Sequence, residues 1–265
     1  MKVNSIRAVF FDLDGTLRAS RPSPQEAVAG EAARLGLVTN AVDRLRAARW
    51  EHIYFAESDE LRADRVEFPE NRAFWLNFSC RQLIALGATP EFASEMAGPL
   101  NQYMNEQYRP EDVLLPDVHP TLKALKEAGY LVAVVSNRET PFQAYLEEIG
   151  LWQYCEFCLA AGEAGSWKPD AGIFRRALQL GNVKADETVY VGDNYYADVI
   201  GARNAGLKPV LVDLRGLFEQ PGCPVIRSHV QLLDLLKQGD AWERVTQEAG
   251  GPDRLPFAPD SSFPR

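Results

Sequence analysis

Two aspartates, Asp12 and Asp14, stand two residues apart in the segment FFDLDGTL, with Gly15 directly after them to permit a tight turn. Across such a turn the carboxylates can point different ways, one toward a substrate and the other toward its leaving group. That division suits a nucleophile working beside an acid/base group. A carboxylate attacks phosphorus only when the phosphoryl oxygens are neutralised, which calls for a metal and a side-chain cation. Asp193 and Lys168 are the candidates for those needs. The donors are all oxygens, so a hard cation such as Mg2+, bound through few carboxylates plus waters and a phosphate oxygen, is the expected cofactor.

These residues fall where strands are expected to end. RAVFF (7–11) is a short apolar run that stops abruptly at Asp12, and the same grammar returns in YLVAVVSN (130–137), TVYVGDN (188–194) and KPVLVDLRG (208–216). Amphipathic stretches lie between them, among them HPTLKALKEAG, TPFQAYLEEIG, KPDAGIFRRALQLG and YADVIGARNAG, most closing on a glycine suited to a helix C-cap. Alternating strands and helices predict an α/β fold, a Rossmann-like parallel sheet with helices on both faces. Ligands of such sheets sit outside the carboxyl ends of the strands, which here carry Asp12 and Asp14, Ser136 and Asn137, and Asp193.

Residues 20–109 break the alternation. Helical periodicity covers 25–36, 41–56, 70–86 and 91–107, with breakers at Pro69 and from Gly87 to Pro90 and no convincing central strand. This segment is expected to be an inserted all-helical cap, leaving residues 1–19 and 110–240 as the α/β catalytic core. Residues 241–265 form a C-terminal tail, whose last stretch GGPDRLPFAPDSSFPR holds four prolines and is expected to be irregular.

Composition narrows the function classes. Hydrophobic residues at 46% and charged residues at 25% are those of a soluble globular protein. A formal net charge of -9 argues against a nucleic-acid binder, which needs clustered Lys and Arg. The opening MKVNSIRAVFFDLDG is too short an apolar run for a signal peptide, and no stretch approaches the ~18 apolar residues that span a bilayer, so no membrane partner and a cytoplasmic location are expected. Cys80, Cys155, Cys158 and Cys223 fit a reducing compartment. The CxxC pair Cys155 and Cys158 lacks a second zinc-ligand pair and lies in YCEFCLAA, which reads as buried strand. His52, His119 and His229 share no ligand spacing and read as structural or surface residues.

Taken in order, the motifs resemble those of the haloacid dehalogenase-like hydrolase superfamily, in the branch whose helical cap follows the first strand. DLDGT (12–16) looks like the first motif, Ser136 the second, Lys168 in WKPDAGIF the third and GDNYYAD (192–198) the fourth. The resemblance spans residues 7 to about 240. It implies that Asp12 forms an aspartyl-phosphate, that Asp14 protonates the leaving group and then activates water, and that Ser136 and Lys168 hold the phosphoryl oxygens. It further implies Mg2+ bound by Asp12, the Asp14 carbonyl and Asp193, with Asp198 as an additional ligand or as a partner orienting Lys168. Backbone amides around Leu13 and Asn137 would complete the phosphate cradle. Asn194 reads instead as a helix N-cap.

The superfamily hosts several reactions, so the fold does not select one. A halide leaves without a proton and an alkoxide does not, so Asp14 favours phosphate esters over carbon–halogen bonds. Phosphonate hydrolysis in this family uses a cap lysine, and no lysine occurs from Ala19 to Pro110. The expected activity is Mg2+-dependent hydrolysis of a small phosphorylated metabolite. A phosphosugar mutase of the same family and a non-catalytic binding protein of the same fold are the alternatives. Arg44, Arg46, Arg49, Arg62, Arg65 and Arg72 could suit a substrate with a second acidic group, but acidic neighbours such as Asp43 and Glu51 can pair with them. Trp50, Tyr54, Phe74 and Trp75 read as cap core.

Overall fold

Strand β1 (Ala8–Phe11) is buried at every position, as expected of a strand covered on both faces. The computed structural model that places it describes residues 6–238, so the expected tail at 241–265 lies outside the described residues. After β1 come β2 (Arg18–Arg21), helices α1 (Pro24–Arg34), α2 (Ala41–Tyr54), α3 (Asp59–Glu67), α4 (Asn71–Ala85) and α5 (Pro90–Glu106), and β3 (Glu111–Leu114). The chain continues with α6 (Val118–Glu127), β4 (Leu131–Ser136), α7 (Gln143–Glu148), β5 (Phe157–Ala160), α8 (Ala161–Ala164) and α9 (Ala171–Gly181). Then follow β6 (Thr188–Gly192), a π-type helical stretch (Tyr195–Ile200), α10 (Gly201–Asn204), β7 (Lys208–Val212), β8 (Val225–Ile226) and α11 (Val230–Lys237). Two compact units result, one from the residues up to Leu17 with those from Leu114 onward, the other Arg18–Val113.

The first unit is Rossmann-like. Its sheet runs β5-β4-β1-β6-β7-β8, every pairing parallel. The period of two in each strand builds two cores. Val9, Phe11, Val132, Val134, Val189 and Val191 face one layer with α6, α7 and α11. Phe10, Ala133, Val135 and Tyr190 face the other with α9 and α10. His229 is buried with Nδ1 3.2 Å from Asp117 Oδ1, consistent with a structural role. Burial pushes the Cys155 and Cys158 thiols up, to about 12 and about 11, the opposite of a reactive pair.

The second unit is helical apart from the two-stranded β2-β3 pair. Ser23, Asn40, Ser58 and Thr89 cap α1, α2, α3 and α5 by accepting backbone N–H bonds, each worth about 1 kcal/mol. Trp50, Tyr54, Phe55 and Phe78 pack with ring centroids 5.0 to 5.7 Å apart. Trp75 touches that cluster only at its edge and is 41% exposed, so it is less a core residue than its spacing implied. Asp64, fully buried, accepts from the Tyr54 hydroxyl at 2.9 Å and from Arg81 at 2.7 Å. Arg81 also meets Glu60, which accepts from the Trp50 indole at 3.1 Å. Arg46 pairs with Asp43, Arg62 with Asp59 and Arg65 with Glu57.

Candidate active site

Register brings the motifs together. Phe11 lies beside Val134 of β4 and Val191 of β6, and the Asp12 amide extends the ladder by bonding the Val191 carbonyl at 2.8 Å. The three strands therefore release Asp12, Ser136 and Asp193 at the same edge of the sheet. Beyond β1 the chain turns tightly, the Leu13 carbonyl accepting from the amides of Thr16 and Leu17 at 3.3 and 3.0 Å. Leu13 itself points into the core. Gly15 has φ +90, and a Cβ there would lie 2.4 Å from Asp193 Oδ2, so the turn requires glycine.

Lys168 is the hub. Its ammonium, 3% exposed, donates to Asp12 Oδ1 at 2.6 Å, to Asp198 Oδ1 at 2.7 Å and to the Tyr190 hydroxyl at 3.1 Å. Three acceptors satisfy its three protons. Tyr190 in turn donates to the Val135 carbonyl at 2.8 Å, tying the lysine to β4. The Asn137 side chain holds the backbone of Lys168 in both directions, accepting its N–H at 2.7 Å and donating to its carbonyl at 3.0 Å. Asp198 Oδ2 accepts from the Asn194 amide at 2.9 Å. The Asn194 side chain caps the following helical stretch through the amides of Tyr196 and Ala197, both at 3.0 Å. Ser136 is buried at the end of β4.

One oxygen each from Asp12, Asp193 and Asp198 lie within 4.8 Å of one another. The Thr16 hydroxyl donates to Asp193 Oδ1 at 3.0 Å and stands 3.5 Å from Asp12 Oδ2. Burial pushes the Asp12 carboxyl up to about 7 against the pull of Lys168. Burial and the neighbouring Asp12 carboxylate push Asp193 up to about 7 as well, and burial raises Asp198. Lys168 is held charged by Asp12 and Asp198, well above its usual range despite its burial. Asp12 and Asp198 share Lys168, while Asp193 accepts from the Thr16 hydroxyl and feels the charges of Lys168 and Arg215, and the crowding of carboxylates in a poorly solvated place fits a hard divalent cation bound by oxygen donors.

Asp14 stands apart from this group. Its carboxylate accepts two parallel bonds from Arg138, Nε to Oδ2 at 2.9 Å and Nη2 to Oδ1 at 3.0 Å. The sequence reading missed Arg138, Tyr190 and Thr16. Thr16 lay within DLDGT, and Tyr190 stands between two valines in the middle of a buried strand. Arg138 carried no signal, because its pairing with Asp14 depends on two loops meeting.

The profile of a family described as haloacid dehalogenase-like hydrolase matches residues 6–206. The chain is 33% identical to a ribulose-1,5-bisphosphate 5-phosphatase of Halopiger xanaduensis over 78% of its own length and 84% of that protein's. It is 25% identical to a glyceraldehyde 3-phosphate phosphatase of Pyrococcus furiosus over 92% and 99% of the two chains. The crystal structure of a dehalogenase, 23% identical, shares the fold over 88% of this chain and 98% of that one with a TM-score of 0.57. A match running from the first strand through the loop after α10 takes in every motif at this sheet edge, and the chain belongs to the haloacid dehalogenase-like hydrolase family.

Proposed function

We propose that this chain is a Mg2+-dependent phosphatase that hydrolyses a small phosphorylated metabolite through an aspartyl-phosphate on Asp12. The observation that carries the reading is the different setting of the two carboxylates of FFDLDGTL: Asp12 is buried against Lys168, and Asp14, more exposed, is paired with Arg138. Asp12 attacks phosphorus while Asp14 gives its proton to the departing oxygen. Asp14 then takes a proton from the water that attacks the aspartyl-phosphate, and phosphate leaves with Asp12 restored. Ser136, Lys168 and the main-chain amides of Leu13, Asp14 and Asn137 are assigned to the phosphoryl oxygens.

Asp12, Asp193 and the Asp14 carbonyl would hold Mg2+, which when bound neutralises the phosphoryl oxygens and the crowded carboxylates. Asp198, already engaged by Lys168 and the Asn194 amide, is better suited to orienting the lysine than to direct ligation. The activities for which the two relatives are named, on a sugar bisphosphate and a triose phosphate, support the substrate class. The helical insertion at residues 20–109 is assigned the family's cap role of substrate selection. Four free thiols suit a cytoplasmic setting.

Assay of p-nitrophenyl phosphate with Mg2+ and with excess chelator, on the wild type and on Asp12→Asn, tests the proposal. Hydrolysis that needs both the metal and Asp12 is expected. Turnover that survives either loss would overturn it.

A further inference from the structure

Arg138 is a charged residue at the strand edge for which the reaction as written has no use. It lies two residues beyond Ser136, and its fork grips both oxygens of Asp14. We infer that Arg138 is a positioning residue that fixes the plane of the Asp14 carboxylate for proton transfer to and from the leaving-group side. This rests on the role proposed for Asp14 above.

Geometry supports the assignment in three ways. Two parallel charge-assisted bonds fix a carboxylate in rotation as well as in place, which a single bond does not. The guanidinium is itself seated, its carbon 4.5 Å from the centroid of the Tyr145 ring and 5.7 Å from that of Phe142. The backbone beneath it is pinned, because the Arg138 carbonyl accepts from the Gly162 amide at 3.2 Å. A Cβ at Gly162 would lie 1.8 Å from the Glu139 carbonyl oxygen, so α8 can approach this loop only with glycine there.

Stability does not account for so much placement. The pair is part-exposed, 27% at Arg138 and 39% at Asp14, and such pairs contribute about 0–1 kcal/mol. Position does account for it. The three protons of Lys168 are taken by Asp12, Asp198 and Tyr190, and Arg138 supplies Asp14 with a cation of its own that sets the plane of its carboxylate. When Asp14 carries a proton, the carbonyl oxygen keeps one bond from Arg138 and the hydroxyl faces the leaving oxygen. As the ester P–O bond breaks and the Asp12–phosphorus bond forms, that proton passes to the leaving oxygen and the second Arg138 bond re-forms. Water then adds to the aspartyl-phosphate and returns a proton to Asp14, so ester and water become alcohol and phosphate.

The test measures kcat/KM with Mg2+ across aryl phosphates from p-nitrophenyl to the more basic p-methoxyphenyl leaving group, for the wild type, Arg138→Gln, Arg138→Lys, Asp14→Asn and Asp12→Asn. A good leaving group needs little protonation, so Arg138→Gln is expected to leave p-nitrophenyl phosphate nearly unchanged and to slow p-methoxyphenyl phosphate by about 10-fold or more, part of the 10²–10⁴ available from acid/base catalysis. Asp14→Asn should steepen the dependence further, and Arg138→Lys should fall between wild type and Arg138→Gln. Equal losses across the series, or none, with a wild-type thermal midpoint would overturn the inference, since a packing residue or a phosphate contact does not discriminate between leaving groups. If Asp12→Asn retains activity, the proposed function itself fails. If Asp12→Asn is dead and Asp14→Asn steepens the dependence while Arg138→Gln does not, only the role of Arg138 fails.

Discussion

In the helical unit the buried carboxylate of Asp64 meets Arg81 and the Tyr54 hydroxyl, and Glu60 meets Arg81 and the Trp50 indole. In the α/β unit Asp12, Asp193 and Asp198 crowd around Lys168, and two of them are pushed up to about 7. Both places remove charge from water. In the first, Asp64 and Glu60 share one guanidinium, and a neutral donor, the Tyr54 hydroxyl or the Trp50 indole, serves each of them as well. In the second, three carboxylates lie close together, and burial and crowding raise their hold on protons. Neutral donors that fill the remaining positions suit a packing role, whereas crowded carboxylates with raised proton affinity have the chemistry that a hard cation requires.

Asp12→Asn should separate the two kinds of cluster most sharply. Turnover is expected to fall by about 10³-fold or more, as for loss of a nucleophile. The thermal midpoint of the metal-free protein should rise, by about 2–4 °C for each ~1 kcal/mol of repulsion relieved. A lowered midpoint would mean that the carboxylate is a structural partner of Lys168 before anything else. Lys168→Met removes the cation that Asp12 and Asp198 share and should cost about 3–5 kcal/mol in denaturant unfolding, with loss of activity. Arg81→Met should cost stability in the same assay while the folded fraction keeps its kcat, and a collapse of kcat there would erase the contrast.

Mg2+ should act on one cluster alone. Saturating the metal-free protein at about 100 times its Kd should stabilise it by about 2.7 kcal/mol. Asp193→Asn should remove most of that increment and Glu60→Gln none of it, as read by thermal shift. The smallest effect belongs to Trp50→Phe, which gives up the indole bond to Glu60. It should cost about 1 kcal/mol and leave kcat and KM at wild-type values.

Much of this was legible in the chain. Apolar runs ending on Asp12, Ser136 and Asp193 gave the parallel sheet and its working edge, because buried strands and the polar residues that end them differ so plainly in composition. Helix α3 escaped because DELRADRVE is polar nearly throughout, and its two buried residues are Leu61 and the carboxylate Asp64. The short β2-β3 pair at the borders of the insertion was too polar to read as strand, with no fully buried position in either member. Arg138 and Tyr190 act through contacts between elements far apart in sequence, which no local spacing encodes. The Asn137 grip on the Lys168 backbone was equally hidden, although both residues were already singled out for other reasons.

The central place of β1 also has a kinetic meaning. Its neighbours β4 and β6 are both encoded after the insertion, so β1 can dock only by closing a loop that contains the entire helical unit. The Asn137–Lys168 grip, by contrast, closes a short loop through α7, β5 and α8. Loop entropy therefore favours forming the lysine cradle first and seating β1 late. Asp12 would reach its partners only once the surroundings that govern its reactivity are built. Probes on β1 should accordingly show low φ-values and probes around Asn137 higher ones.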